Sequence, residues 1–413
     1  MKKNKIVIIG GGSAGLACAN ALRQKGIQDI LLIEKEDELG GILNQCIHNG
    51  FGLHLYKQEL TGPMYAQRNI DLFMQLEIPY ILNATVLNIT EDKIITISEP
   101  EGCYQIQAEV IVLAMGARER TRGNIQIPGD RCVGVWTAGV AQKYLNIEGY
   151  LVGKRIFILG SGDIGLIMAR RLTLARAKVV GVAEIMPYSN GLTRNIVQCL
   201  HDYDIPLYLS TTITKITGHN RVESITLCQV DDQRRPMLET AREVEVDTVL
   251  LSVGLIPDNV LSEKASVEID HRTKGPLVDS QLMTNIPGVF ACGNVLHIHD
   301  LVDHVSMEGM LVADSVVSYL NDQHFVQRIP VEAKGELNYV LPQYFDTNSE
   351  SLLIKYRVTR PKSKAFLKIS SNGKTLVKLP KVDLHPSEMQ TFQLPKVFLD
   401  KINYNLVVEL CDE

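Results

Sequence analysis

The chain carries one glycine-rich strand-to-helix signature twice. Gly10-Gly11-Gly12-Ser13-Ala14-Gly15 follows the apolar run Ile6-Val7-Ile8-Ile9, and Gly160-Ser161-Gly162-Asp163-Ile164-Gly165 follows Ile156-Phe157-Ile158-Leu159. Each signature opens a helical pattern, predicted over 14–25 and 163–176. Each helical pattern leads to an apolar strand ending in an acid: Leu31-Leu32-Ile33-Glu34 and Val179-Val180-Gly181-Val182-Ala183-Glu184. The acid stands nineteen residues past the third glycine both times (15 to 34 and 165 to 184). A lone G-x-G-x-x-G says little, whereas two with strand, helix, strand and acid in place predict two βαβ units that each bind a dinucleotide. The first glycine permits the tight turn, the second lets the pyrophosphate approach the backbone, and the third lets helix and strand pack closely. The pyrophosphate sits at the helix N-terminus, where N–H groups and the helix dipole favour negative charge. The acid accepts hydrogen bonds from ribose hydroxyls. The alternative is that the glycines serve only as strand-to-helix turns, which requires both complete patterns to be accidents.

Two dinucleotides on one chain imply electron transfer between them, and composition fits such an enzyme. The 413 residues allow two or three domains, with 45% hydrophobic and 22% charged residues. A net charge of −5 offers nothing to nucleic acid or an anionic membrane. Lys2-Lys3-Asn4-Lys5 with the apolar residues after it mimics a signal peptide, but the apolar run stops at Gly10 and reads as the first strand. No stretch reaches bilayer-spanning length, so a cytoplasmic location is expected. The eight cysteines (18, 46, 103, 132, 199, 228, 292, 411) form no CxxC, CxxxxC or iron–sulfur run, so no redox dithiol is expected.

The expected fold is α/β: two Rossmann-like dinucleotide-binding domains followed by a C-terminal all-β domain. The first domain takes residues 1–125 and 255–328, the second 126–254, and the β domain 329–413. A helix is predicted over 61–76, β segments over 81–89, 94–97 and 104–113, a closing strand over 248–253, and a helix over 307–320. Past residue 330 the pattern alternates: Ile354, Tyr356 and Val358 interleave with Lys355 and Arg357, and Asn372-Gly373 marks a turn. This tail reads as a sandwich. It holds no catalytic constellation, so interaction or structure is expected of it rather than chemistry.

Residues 1 to about 325 resemble the two-dinucleotide flavoproteins of the pyridine nucleotide-disulfide oxidoreductase class. The resemblance is carried by the paired fingerprints, Ala114-Met115-Gly116-Ala117-Arg118, Leu251-Ser252-Val253-Gly254, and the return segment Val289-Phe290-Ala291-Cys292-Gly293-Asn294. Spacing alone gives two sites; the resemblance implies that the first holds FAD and the second NAD(H). It implies that Gly10, Gly12, Gly15 and Glu34 hold the FAD pyrophosphate and ribose. Ser13, Ala14, Lys35, Val86, Ala114 and Gly116 join that site. Gly41 lies near the flavin, and Gly293 and Asn294 meet the ribityl chain and phosphate. Gly160, Gly162, Gly165 and Glu184, with Asp163, Ile164 and Gly254, hold the nicotinamide dinucleotide. The family's disulfide reductases carry a cysteine pair shortly after the Gly40-Gly41 position. Here Leu43 and His48 stand about where that pair would fall, and Cys46 is alone. Asn294 replaces the family's usual Asp, and Met115 its usual Thr.

The stretch 40–62, the return segment to Asp303 and the β-rich tail resemble more narrowly the flavoproteins encoded beside bacterial anaerobic glycerol-3-phosphate dehydrogenases. Relatives of that group serve opine, proline and cyanide-forming amino-acid dehydrogenases. The implied activity is FAD-dependent NADH:acceptor oxidoreduction. The implied partners are NADH, a flavoprotein dehydrogenase and a small cysteine-rich protein. A non-catalytic FAD relay or scaffold subunit and a stand-alone NADH oxidase are the alternatives. No catalytic side chain is assigned, because hydride transfer between nicotinamide and flavin needs alignment more than an acid or base. His297, His299 and His304 with Asp300 and Asp303 match no standard metal-ligand spacing, so no metal is assigned and a place beside the flavin is expected. Cys46 and His48 are either a nucleophile–base pair or part of a structural loop. NADH is expected over NADPH, since Glu184 opposes a 2′-phosphate and the next basic residue is Arg194.

Overall fold

The computed structural model describes residues 2–321, 328–346, 349–402 and 404–412. The chain forms two compact units: Met1–Asn44, Asn49–Ala117 and Pro257–Glu413 make the first, and Gln45–His48 with Arg118–Ile256 make the second.

The first unit begins as β1 (Lys2–Ile9), α1 (Ser13–Gln24) and β2 (Ile30–Ile33). β1 pairs in parallel with β2, Ile6 to Ile30 through Ile9 to Ile33, and on its other side with β3 (Gly102–Leu113). Every residue of β2 is buried, as expected of a parallel strand covered on both faces. Tyr80–Ile81 extends the sheet beyond β2, and antiparallel strands Ile94–Glu99 and Thr85–Ile89 extend it beyond β3. The helix Gly62–Gln75 starts at Thr61, whose side chain accepts the Met64 N–H at 3.4 Å.

The second unit repeats the plan with β4 (Arg155–Leu159), α2 (Asp163–Leu174), β5 (Lys178–Ala183) and β6 (Thr248–Leu251). Its parallel sheet runs Val135–Thr137, β6, β4, β5, Leu207–Tyr208. Strand alternation divides β4 between two cores. Ile156 and Ile158 pack with Leu166, Met168 and Leu172 of α2, while Phe157 and Leu159 pack with Ile213, Ile225 and Leu227. Those last three come from a separate antiparallel sheet of Thr211–Gly218, Val222–Gln229 and Arg242–Glu245.

The chain then returns to the first unit. β7 (Val289–Ala291) pairs in parallel with β3, Val289 to Ile111 through Ala291 to Leu113, and leads into α3 (Val302–Leu320). α3 starts five residues before the apolar periodicity does. Asp303 accounts for the early start, because its carboxylate accepts the N–H groups of Gly52 and Leu55 and so anchors the first turn from outside. Gly309 lets α3 cross α1 closely: a Cβ there would stand 2.3 Å from the Ala14 carbonyl oxygen.

The tail forms two sheets around one apolar core. One sheet runs Tyr344–Phe345, Ile329–Gly335, Leu406–Cys411, Lys362–Ser371, Lys374–Leu384. The other holds Leu337–Leu341, β8 (Ser351–Val358) and Gln390–Pro395. Asn372 and Gly373, with φ of +50° and +75°, close the hairpin between Lys362–Ser371 and Lys374–Leu384. Leu352, Ile354, Tyr356 and Val358 of β8 face this core. The tail is also tied to the rest of its unit: the Gln343 N–H donates to Val278 O at 3.1 Å, and Arg328 Nη2 donates to the Thr284 carbonyl at 2.6 Å and pairs with Asp279 at 3.0 Å. Among the described residues no helix is long and apolar enough to cross a membrane.

Candidate functional site

In the first unit the glycine-rich loop is fixed from three sides. Gly10 N–H donates to Ile33 O at 2.9 Å, Ala114 N–H donates to Ile9 O at 2.9 Å, and Gly40 N–H donates to Gly11 O at 2.9 Å. Glu34 is buried, and its carboxylate accepts the Gly11 N–H at 2.6 Å through Oε2 and the Glu36 N–H at 2.9 Å through Oε1. The three glycines differ in what demands them. Gly10 has φ +109°, and a Cβ on it would strike Ala114 O at 2.4 Å; one on Gly15 would strike Gly10 O at 1.9 Å. Both are demanded by the protein's own packing. A Cβ on Gly12 meets no protein atom within 4 Å. The space over Gly12 is therefore an open cradle at the start of α1, a helix end with no side-chain cap and no acid in its first turn. An anionic pyrophosphate fits it.

The second unit repeats the strand-to-loop and acid-to-loop bonds, although α2 carries Asp163 in its first turn where α1 has no acid. Gly160 N–H donates to Ala183 O at 2.7 Å, and Ser252 N–H donates to Leu159 O at 2.7 Å. Glu184 is buried and accepts the Ser161 N–H at 3.0 Å and the Ser161 hydroxyl at 2.7 Å through Oε2, and the Met186 N–H at 3.0 Å through Oε1. A Cβ on Gly160 would strike Ser252 O at 2.0 Å, whereas one on Gly162 would meet only Ser252 Oγ at 3.9 Å. Both loops thus share one solution: packing demands the outer glycines, and the middle one leaves room.

The remaining residues expected at a site sort by unit. Ser13 and Ala14 form the first turn of α1. Gly41 opens a short 3₁₀ turn, and a Cβ on it would lie 3.2 Å from Gly12 Cα, which puts it at the cradle's rim. Lys35 is exposed beside Glu36, Val86 is buried in the core, and Gly116 (φ +73°) follows the end of β3. Gly293 has φ +76°, and a Cβ on it would meet the Ala14 Cβ at 2.9 Å, so the return segment lies on the first turn of α1. Asn294 Oδ1 is engaged locally, accepting the His299 N–H at 3.0 Å. In the second unit Ile164 lies in the first turn of α2 and Gly254 (φ +98°) follows β6. Asp163 Oδ1 accepts from Leu192 N and Asn195 Nδ2 at 2.9 and 2.6 Å, a contact that spacing did not foresee.

The Cys46 thiol lies 3.7 Å from Gln142 Oε1, and burial pushes it up to about 12, so it stays protonated and a poor nucleophile. The neighbouring Gln45 holds the same loop through Gly139 O at 2.8 Å.

The histidines gather around a residue the sequence reading passed over. Glu308, on α3, is fully buried. Oε1 lies 3.2 Å from His297 Nε2 and 2.6 Å from Lys355 Nζ; Oε2 lies 3.4 Å from His299 Nε2 and accepts the Gly293 N–H at 2.7 Å. His297, His299 and Glu308 point their donor atoms into one small volume, and the Lys355 ammonium already stands there as the cation. Burial pushes the Glu308 carboxyl up, but Lys355, His299 and His297 outweigh it and hold it well below the usual carboxylate range. Burial, aided by His299, pulls His297 down to about 3, so its ring is neutral and donates through Nε2–H to the carboxylate. Lys355 belongs to β8, in the tail where no site chemistry was expected. Next to it Arg357 pairs with Asp300 and donates to the Ile298 carbonyl at 3.0 Å, while the Met389 N–H donates to Asp300 Oδ2 at 2.6 Å. The visible sign in the sequence was that Lys355 and Arg357 occupy the alternate face of β8.

Comparison with known proteins agrees with this geometry. Hydrogen cyanide synthase subunit HcnB of Pseudomonas aeruginosa is 25% identical over 280 residues, which cover 63% of this chain and 59% of that protein's length. The ferredoxin–NAD(+) reductase subunit of the benzene 1,2-dioxygenase system of Pseudomonas putida is 26% identical over 306 residues, covering 71% of this chain and 67% of that one. The crystal structure of thioredoxin reductase from T. acidophilum shares the fold, with a TM-score of 0.63 at 21% identity over 78% of this chain and all of that chain. The family model for pyridine nucleotide-disulphide oxidoreductases matches residues 4–310. With two glycine-rich cradles on the chain and three quarters of its length matched by that model, the chain belongs to the pyridine nucleotide-disulphide oxidoreductase family.

Proposed function

We propose that the chain exchanges electrons between NADH and a partner flavoprotein dehydrogenase of the glycerol-3-phosphate type, with FAD in the first unit as the intermediate carrier and NAD(H) in the second. The observation that carries this reading is the pairing of two complete cradles with the lack of a redox dithiol. None of the eight cysteines is joined in a disulfide, and the one nearest the family's disulfide position, Cys46, is held protonated by burial. When bound, FAD supplies the hydride-accepting chemistry. The chain's own residues bind and orient. The first turns of α1 and α2 receive the two pyrophosphates, Glu34 and Glu184 fix the loops that carry Gly12 and Gly162, and Gly293 seats the return segment on α1. Electrons leave to a protein rather than to an internal disulfide. The resemblance of the 40–62 stretch and the tail to the glycerol-3-phosphate group supports the dehydrogenase partner, as does similarity to proteins named as subunits of a hydrogen cyanide synthase and of a benzene 1,2-dioxygenase system.

The test is an anaerobic titration of the purified protein with NADH. Bleaching of one FAD per chain, with reoxidation by an added glycerol-3-phosphate dehydrogenase preparation and negligible turnover with oxygen, is the expected result. Rapid oxygen turnover without a partner would make the chain an NADH oxidase instead. An FAD that NADH leaves oxidised would make it a relay subunit.

A further inference from the structure

We propose that Lys355 of the C-terminal β domain is a positioning residue for the flavin cradle: its ammonium neutralises Glu308, which holds Gly293 on the first turn of α1. The inference rests on the reading that the first unit binds FAD. It goes beyond that reading by giving the tail a part in the site.

The chain of contacts is short and lies wholly within the first unit. Lys355 Nζ is 2.6 Å from Glu308 Oε1, and Glu308 Oε2 accepts the Gly293 N–H at 2.7 Å. Gly293 abuts Ala14, and Gly309, next to Glu308 on α3, is closed against the Ala14 carbonyl and Cys18 N. Glu308 therefore sits behind the helix end that receives the pyrophosphate. A buried carboxylate left unpaired there is costly in itself and opposes an incoming anion. The cation that offsets it comes from the tail. Other groups surround this pair from several elements. His297 and His299 come from the return segment, and the His297 ring is neutral. Cys292 follows β7 and lies near both Glu308 and Cys18 of α1; burial keeps both thiols protonated. Tyr339 comes from the tail and is engaged by Arg357, which itself pairs with Asp300. His304 lies one turn away on α3, and burial first, then His299, His54 and Lys355, pull it down. Lys355 is the fixed positive charge that contacts the carboxylate directly.

The experiment measures FAD binding to apoprotein by quenching of flavin fluorescence from pH 6 to 8.5, for the full-length native chain and for K355M, E308Q and K355M/E308Q. Thermal midpoints of each apoprotein are recorded in parallel. Native protein that binds no FAD would refute the reading of the first unit, separately from this proposal. With native binding established, K355M is expected to bind FAD at least tenfold more weakly at pH 8. Its affinity should recover toward pH 6 as Glu308 takes up a proton, whereas the native affinity stays level. The double variant should bind within threefold of E308Q at every pH. K355M binding within threefold of native at pH 8, a loss that does not vary with pH, or no rescue by E308Q would overturn the proposal. If K355M alone is insoluble, the double variant decides: folded, FAD-binding double variant supports the proposal, and an equally insoluble one overturns it.

Discussion

Each residue of a glycine fingerprint answers to a different constraint, and the constraints can be separated by substitution. Gly12 has φ −82° and ψ −168°, a conformation open to any residue, and a Cβ there touches nothing in the protein. Gly12→Val is therefore expected to leave the apoprotein's thermal midpoint within about 1 °C of native, equivalent to about 1 kcal/mol for a chain of this size. The same change places a branched side chain in the cradle and should remove bound flavin. Gly10→Val differs, because φ +109° and the Ala114 carbonyl at 2.4 Å resist any side chain, and loss of folded protein is expected. Flavin absorbance per chain, read beside the melting curve, checks both. A Gly12→Val protein with full FAD occupancy would show that the pyrophosphate lies elsewhere. Identical melting losses in the two variants would show that Gly12 serves packing too.

Elements with strong local periodicity were legible in the sequence; elements made by distant contacts were not. The fingerprint helices begin within a residue of expectation, at Ser13 and Asp163, because a glycine turn after a buried parallel strand leaves them no other place to start. The first turn of α3 was missed since Asp303 is anchored by the N–H groups of Gly52 and Leu55, some 250 positions away in the chain. The pairing of Lys355 with Glu308 spans 47 positions, and neither residue type announces a partner at that range. A preference between the two nicotinamide cofactors is predicted from the loop-and-acid element. Three protein donors already occupy the Glu184 carboxylate, which leaves about one of its four lone-pair sites for a ribose hydroxyl rather than the two hydroxyls expected from spacing. Its negative charge remains, and against a 2′-phosphate it is expected to cost about 1.4–2.8 kcal/mol, tenfold to a hundredfold in affinity. NADH is thus expected to reduce the flavin at least tenfold more efficiently than NADPH in stopped-flow measurements. Arg194 is exposed on its own short helix, but Arg234 lies within electrostatic reach of Tyr188, which also feels Glu184. Equal efficiency with NADPH would mean that Arg234 captures the phosphate, and an R234A variant would then restore the preference.

At the scale of the whole molecule, the first unit stands on a core that mixes apolar layers with the buried charged cluster around Glu308, and that cluster makes stability depend on pH in a definite direction. His297 is held neutral in the fold, down to about 3 from an unfolded value of 6.5, and Glu308 is held ionised well below its unfolded value. In both cases the folded value is the depressed one, so the unfolded chain binds the extra proton in acid and stability rises with pH. The contribution of His297 is complete above pH 6.5 and is lost as pH falls from 6.5 toward 3. That of Glu308 is complete above about 4.5 and is lost below it. His304, also pulled down by burial, adds to the first window with the same sign. Asp279, pushed up by burial, works the opposite way from its ordinary 3.8 upward, which blunts the lower part of the slope. A single proton sets a ceiling of about 1.4 kcal/mol per pH unit on the His297 slope. The thermal midpoint of the FAD-saturated protein is therefore expected to be level between pH 7 and 8 and to fall steadily from 6.5 to 5. His297→Gln keeps a donor beside Glu308 but cannot take up a proton, so its midpoint should start lower at pH 7.5 and fall less steeply. Native and variant slopes that coincide from pH 6.5 to 5 would show that His297 does not gain its proton on unfolding, and the acid sensitivity would then have to be assigned to His304 or to groups outside the cluster.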